Sequence, residues 1–330
     1  MNFQNEKKLV QKFYRAIETS ENQEIASVFN EYCSDKLLWR GFHPFNEIIG
    51  LDNLYSQFWK PFKKSFFNSQ RRMDIFLAGY NTIFGKEDVW VVSMGHLMSL
   101  FDNPWIGIKD TKKIAILRYC EFSKIQNGKI TEVAMFFDIP HLMLQAGIKP
   151  FPSETGISLV QPGPLTHDGL MFNGQDPNEG NKTLEIIENM INDVKVWTST
   201  SRSSLIDELK KSWNDNMIWW GPTGIGSTYT IERYADQHAG PFRETFKDRK
   251  FNGHLCRVSE GNYGGFFGWP NLTLTPKKKF MGIKTTPKSS EMRVIDMYRR
   301  EGKKLTENWV FIDLLHFLKI LGIDILKNLK

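Results

Sequence analysis

The 330-residue sequence predicts an α+β protein built from two tandem copies of one unit, helices first and an antiparallel sheet afterwards. Two echoes and one ordering carry this. "PFKKSF" at Pro61 returns as "PFRETF" at Pro241. "GIKDTKK" at Gly107 returns as "GIKTTPK" at Gly282, and holding that spacing of 175 from Gly107 to Ile148 gives 14 identities in 42 positions. Unrelated sequences would share about two or three residues over such a length, so the chain is a duplication. Within each copy, helical periodicity comes first and alternating strands follow.

The elements read off in order. Leu9, Val10, Phe13, Tyr14 and Ile17 mark one face of an amphipathic helix from about Glu6 to Thr19. A second helix runs from about Gln23 to Tyr32, and "DKLLWRG" reads as a strand. A third helix, about Asp52 to Phe67, follows a glycine. Strands are expected at Met73–Tyr80, Asp88–Leu100, Lys113–Gln126 and Lys129–Phe137. "QNGK" at Gln126 carries the Asn-Gly hairpin signal, and "EGKK" holds its place in the second copy. Lys149 to Gly180 has five Pro and five Gly and no sustained period. The expected domains are therefore 1–150 and 181–330, with 151–180 as connector. A sheet curled around helices leaves its other face needing cover, which a second copy on the same chain supplies at high effective concentration. This predicts an internal pseudo-dimer packed through its sheets, with a homodimer as a further assembly left open.

Composition narrows the partners. Hydrophobic residues at 41% and charged residues at 24% are ordinary for a globular protein, whereas 13% aromatic with ten Trp is high and suits a ligand cavity as well as a core. The net charge of +6 is spread along the chain, with one dense run, "PKKKF" at Pro276, so no nucleic-acid partner is expected. Cys33, Cys120 and Cys256 are widely spaced without a CxxC, which predicts reduced thiols and a cytoplasmic location. The first residues lack the apolar core of a signal peptide, and no apolar run is long enough to span a membrane.

Each copy closes with Gly-Lys, a strand, an Asp and a short helix ending at Ala-Gly or Leu-Gly: "GKITEVAMFFDIPHLMLQAG" and "GKKLTENWVFIDLLHFLKILG". Together with "WIGIKDTKK" and "FMGIKTTPK", this resembles the SnoaL-like polyketide cyclases of the nuclear transport factor 2-like (NTF2-like) superfamily, most of all tandem two-domain members. The resemblance covers both copies outside the connector. It implies two cone-shaped domains, each a strongly curved antiparallel sheet closed by helices around a pocket. The superfamily includes ketosteroid isomerase, scytalone dehydratase, limonene epoxide hydrolase and members without catalysis, so fold transfers better than activity. One departure matters. The cyclases carry a catalytic Asp three residues before the Asp that opens the last helix, and Met135 and Val310 stand at that place here. Neither side chain moves a proton.

Candidate chemistry follows from strand alternation and from differences between the copies. On the last strand Glu307, Trp309, Phe311 and Asp313 share one face, matched by Glu132, Ala134, Phe136 and Asp138. If that face lines the cone, Asp138 and Asp313 are desolvated carboxylates at its mouth, fit to act as general bases. The competing reading makes both Asp residues helix N-caps, with His141 and His316 in the first turn. Arg118-x-x-Glu121 repeats as Arg293-x-x-Asp296, a spacing that puts the two members on opposite faces, so one points inward or the pair bridges an interface. On the third helix His238 stands where the first copy has Phe58. An imidazole there is either a proton-transfer group or a hydrogen-bonded core residue. Trp39 is paired with Trp220, and His43, four residues on, with Gly224. The second copy is thus expected to hold the better-developed site. There His238 and Asp313 transfer protons, Asp296 supports them, and Trp219, Trp220, Trp269 and Trp309 with Tyr229, Tyr234 and Arg293 contact the ligand. The first copy holds either a second site (His43, Glu121, Asp138, with Trp39 and Arg118) or a scaffold.

Other signals are missing. "GPTGIGST" lacks the lysine of a phosphate-binding loop, and no GxSxG or HExxH is present, so neither metal nor cofactor is expected. Cys120 matches Ile295 in the repeat and reads as a core thiol. The expected function is a cofactor-independent enzyme moving a proton in a small apolar carbonyl or hydroxyl compound, by isomerisation, dehydration or ring closure. The alternatives are a non-catalytic small-molecule binding protein and a structural pseudo-dimer with vestigial pockets.

Overall fold

The computed structural model describes residues 3–83, 88–195 and 201–329. The chain divides into two compact units: Met1–Ile148 with Pro162–Gly174 and Ile325–Lys330, and Lys149–Gln161 with Gln175–Asp324. The segment read as a connector is therefore shared out, its first part packing with the second unit and its middle with the first.

In the first unit α1 (Gln4–Thr19) buries the predicted stripe of Val10, Phe13, Tyr14 and Ile17, and α2 (Ile25–Tyr32) follows. The sheet has six strands, β1 (Cys33–Gly41), β2 (Asn46–Ile49), β3 (Phe66–Tyr80), β4 (Val89–Phe101), β5 (Ile114–Gln126) and β6 (Lys129–Phe137), ordered β2-β1-β6-β5-β4-β3. It is antiparallel except where β1 lies parallel to β6. β3 starts seven residues earlier than expected. Its polar start, "NSQRR", falls between the expected helix and strand, and an edge strand tolerates polar side chains where one face meets water. The edge of β3 is covered by the connector: Phe76 N donates to Gly169 O and Met171 N to Phe76 O, both at 2.8 Å.

The third helix is not continuous α-helix. It runs as α3 (Leu51–Leu54), a π-helical turn (Tyr55–Trp59) and α4 (Lys60–Ser65). Pro61 is the cause. It has no N–H to donate and its ring presses on the carbonyl a turn earlier, so the turn before it widens, with Lys60 N reaching Tyr55 O five residues back. The repeated Pro-Phe thus preserves a backbone defect as well as a side-chain pattern.

The second unit opens with α6 (Pro177–Lys195), after α5 (Ile139–Gln145) has closed the first, and continues with α7 (Arg202–Leu209). Its third helix repeats the break: α8 (Ile231–Tyr234), a π turn (Ala235–Ala239), then α9 (Gly240–Thr245) with Pro241. The sheet contains β7 (Trp213–Trp220), β8 (Thr228–Tyr229), β9 (Phe246–Phe251), β10 (Cys256–Glu260), β11 (Tyr263–Pro276), β12 (Ser290–Glu301) and β13 (Lys304–Ile312). The order is β10-β11-β12-β13-β7-β8, with β9 also on β11, and α10 (Leu314–Ile320) closes the unit. β9 and β10 together answer to β3, interrupted at Gly253, whose φ of +108° suits glycine. β11 carries a bulge: Gly268 faces Val294 but Leu272 faces Met292, four steps against two. Both units are thus α+β, a curved mixed sheet with helices packed on it. All three cysteines are buried, and none forms a disulfide among the described residues. No helix among the described residues is long and apolar enough to cross a membrane.

Candidate functional site

A cavity of about 180 Å³ lies inside the second unit, between the third helix and the sheet. Tyr234, His238 and Phe242 line it from the helix, Asp296 and Tyr298 from β12, and Asn308 from β13. Strand alternation accounts for the sheet side, since Met292, Val294, Asp296 and Tyr298 are every second residue of β12. On β13 the cavity face is Asn308, Val310 and Ile312, the set opposite to the one expected, and Trp309 is buried outside the lining. The alternation holds and the interior face is the opposite one, and Asp313, buried and outside the cavity, caps α10.

Asp296 is the central group. Asn308 Nδ2 donates to its Oδ1 at 3.1 Å and to Met297 O at 3.0 Å, which fixes the amide and holds the carboxyl. Tyr298, two residues along on the same face, also hydrogen-bonds to it. No ammonium or guanidinium pairs with Asp296 among the described residues. Burial in an apolar surround pushes this carboxyl up to about 7, against the opposing effect of the Asn308 and Tyr298 hydrogen bonds. Burial also raises the Tyr298 hydroxyl well above its ordinary range, so the phenol stays a donor.

His238 lies flat against Trp219, ring centres 3.9 Å apart and planes at 17°, with Tyr234 and Phe242 at its other edges. Burial lowers its pKa to about 3, so the imidazole is neutral at physiological pH. It has no hydrogen-bond partner among the described residues, and its ring nitrogens are available to a ligand. His254, stacked on Phe266 at 3.8 Å, is likewise held neutral, at about 3, by burial first and by Arg257 second.

The first unit fills the same space. Phe58, in the place of His238, contacts the rings of Trp39, Phe45, Phe62 and Phe137, all within 6 Å between ring centres, and is fully buried. Glu121, the counterpart of Asp296, is neutralised: Arg71 Nη1 lies 3.1 Å from its Oε2, and Ser123 donates to its Oε1 at 3.1 Å. The Arg71 guanidinium stacks 3.6 Å over Tyr14 and 4.5 Å over Tyr119. Arg71 sits opposite Leu97, and Phe251 sits opposite Leu272, the residue that repeats Leu97. One replacement, Arg71 by Phe251, thus separates an ion-paired carboxylate from an unpaired one.

The remaining sequence candidates fall elsewhere. Asp138 and Asp313 each cap the closing helix, accepting from His141 N and His316 N at 3.1 Å, and neither lines the cavity. Asp313 also pairs with Arg293 at 3.3 Å, while the Arg293 guanidinium lies 3.8 Å over Trp269. That puts Arg293 and Asp296 on opposite faces of β12, as their spacing requires. Arg118 is buried in the first unit, brought down to about 10 by burial, with the nearby Asp138 acting the other way. His43 is buried, and Tyr229 is exposed. The pairing of Trp39 with Trp220 is corrected by register. Trp39 faces Val133 and Trp219 faces Asn308, so Trp219 is the equivalent, and Thr223, not Gly224, answers to His43. A one-residue slip on a strand moves a side chain to the other face. Accordingly Trp219 lines the cavity and Trp220 does not. Tyr298 and Asn308 were missed. Both had a signal: Tyr298 shares Asp296's face by alternation, and Asn308 is a polar residue where the first copy has Val133.

No family model matches the chain, and no curated protein matches it. Among solved structures, a protein from Jannaschia sp. CCS1 titled as a SnoaL-like polyketide cyclase is similar at 15% identity, covering 46% of this chain and 96% of that one, with a TM-score of 0.33. An NTF2-like protein from Burkholderia xenovorans LB400 is similar at 14% identity (43% of this chain, 97% of that one, TM-score 0.33). IdmH from Streptomyces antibioticus, titled as a polyketide cyclase, is similar at 17% identity (41% of this chain, 99% of that one, TM-score 0.31). Each match spans less than half of this chain, and likeness at this level carries no information about chemistry.

Proposed function

We propose that the second unit binds a small, largely apolar carbonyl or hydroxyl compound in its cavity and that Asp296 exchanges a proton with it. A single observation carries this: a buried carboxyl without a cation, held by Asn308 and Tyr298, facing an aromatic cavity. A general acid–base group works best with a pKa near the operating pH, and one near 7 gives both forms at neutrality. In such a step the carboxylate takes a proton from the carbon or hydroxyl of the ligand. The neutral His238 donates a hydrogen bond to the oxygen on which negative charge gathers, while Tyr298 keeps its proton on Asp296. Isomerisation, dehydration and ring closure all begin with that transfer, and ring closure is the chemistry that the resemblance to SnoaL-like cyclases adds. A cavity of about 150 Å³ holds benzene, so this one takes a single ring or a short branched chain.

Proton exchange can be tested before the substrate is known. In deuterated water, a small ketone such as acetophenone or phenylacetone should gain deuterium beside its carbonyl faster with the protein than without it. The rate should rise through an apparent pKa near 7, and Asp296→Asn should reduce it by about 10²–10⁴-fold. Equal rates for the wild type and Asp296→Asn, with cavity binding retained, would leave the protein a carrier of apolar molecules.

A further inference from the structure

The second unit has another cavity, of about 220 Å³, which shares His238 and Phe242 with the first. These residues are four apart, one above the other along the helix, so they form a wall one side chain thick on which the two cavities meet. The chemistry differs on its two sides. The inner chamber is largely aromatic and aliphatic around Asp296; of the cations that also line it, Arg243 is paired with Glu208, and Arg249 donates to the carbonyl of Lys195. The outer one is lined by Ser153, Thr155, Gln237 and Lys279, of which Ser153, Thr155 and Lys279 are exposed, so it opens to solvent. Lys278 is paired with Glu244 at 3.1 Å, whereas Lys279 has neither an ion pair nor a hydrogen bond among the described residues. The hydroxyls of Ser153 and Thr155 and the Gln237 amide are equally unpartnered. Three polar groups and one free cation therefore converge on a chamber whose inner wall carries the imidazole of His238, unpartnered among the described residues.

We propose that the two cavities are head and tail subsites for one amphipathic molecule. An apolar ring or short branched chain occupies the inner chamber, and a carboxylate-bearing tail passes His238 to reach Lys279. The proposal rests on the reading of the inner cavity as a small-molecule site and adds the class of ligand. It explains why His238 stands where the first unit has Phe58: a tail crossing the wall brings polar linkages past it, and a neutral imidazole can donate to or accept from them.

The test compares the binding of 5-phenylpentanoate, 5-phenylpentan-1-ol and toluene to the full chain by titration calorimetry at low salt. The carboxylate should bind about 1.5-fold to fivefold more tightly than the alcohol, the range of a solvent-facing ion pair. Lys279→Gln should erase that preference while leaving alcohol and toluene binding unchanged. The two-subsite assignment is overturned if the wild type does not distinguish carboxylate from alcohol, if Lys279→Gln preserves the preference, or if none of the probes binds. Deuterium exchange keeps this separate from the catalytic reading. Lys279→Gln should exchange acetophenone at the wild-type rate, and Asp296→Asn should keep the carboxylate preference.

Discussion

Asp296 and Glu121 show how little separates an ion-paired buried carboxylate from one without a cation. Both come from one position of the repeat and both are buried. Arg71 neutralises Glu121, and Phe251 leaves Asp296 without a counter-charge. Phe251→Arg should therefore rebuild the ion pair in the second unit, bring the Asp296 pKa down from about 7 towards the ordinary carboxylate range, and abolish deuterium exchange at neutral pH. A pH–rate profile, or a carboxyl titration followed by NMR, reads this directly. Stability should record the same group. Its folded pKa lies above the unfolded value of 3.8, so the native state holds the extra proton and loses stability as pH rises from about 4 to about 7. Asp296→Asn should remove that slope and stabilise the protein at pH 8 by on the order of 2–4 kcal/mol. His238 and His254 have the opposite sign: their folded pKa values are depressed to about 3, so they cost stability as pH falls below about 6.5. The Arg-x-x-acid repeat marked Glu121 and Asp296 in the sequence, but the partner that decides their charge sits on another strand, at a position where the sequence offers Arg in one copy and Phe in the other.

At the scale of the element, the third helix sets the shape of the cavity. The echo of Pro61 in Pro241 was visible, and so was the exchange of Phe58 for His238. The π turn was not, because a proline marks a break in the helix without saying that the turn before it widens to five-residue hydrogen bonds. The inverted face of β13 has a similar origin. Alternation gives two sets of residues, and which set is interior depends on where the strand ends and on what its last residue caps. His238→Phe should convert the wall to that of the first unit. It replaces an imidazole whose ring nitrogens have no partner with a ring that stacks on Trp219 equally well. We expect a gain of about 1–2 kcal/mol in thermal or chemical denaturation, with toluene binding retained and 5-phenylpentanoate binding weakened.

At the scale of the whole molecule, the duplication and the α+β class were legible because they rest on spacing and on the order of elements. The connector was legible only as a stretch without period. Its proline and glycine content says that it is not helical, but its role in completing each unit depends on long-range pairing. The Lys7 side chain of α1 is fully buried and donates to Met171 O at 2.6 Å. Gly156 and Ile157 pair with Ile225 and Ser227 in the second unit, at a crossing where a Cβ on Gly226 would come within 2.5 Å of Gly156. Lys7→Met should destabilise the first unit by about 2–4 kcal/mol, because buried carbonyls lose their charged donor. Denaturation followed by hydrogen exchange in β3 and α1 should show the loss there and leave β12 and β13 protected as before.

The assignment of residues 162–174 to the first unit has a consequence for synthesis. When Ile148 leaves the ribosome the first unit has all its strands but an uncovered edge along β3, and Lys7 still lacks its acceptor. It becomes complete only after the chain has contributed to the second unit and returned. A gene split at the apparent boundary, after Ile148, would therefore leave the first fragment without residues 162–174 and 325–330.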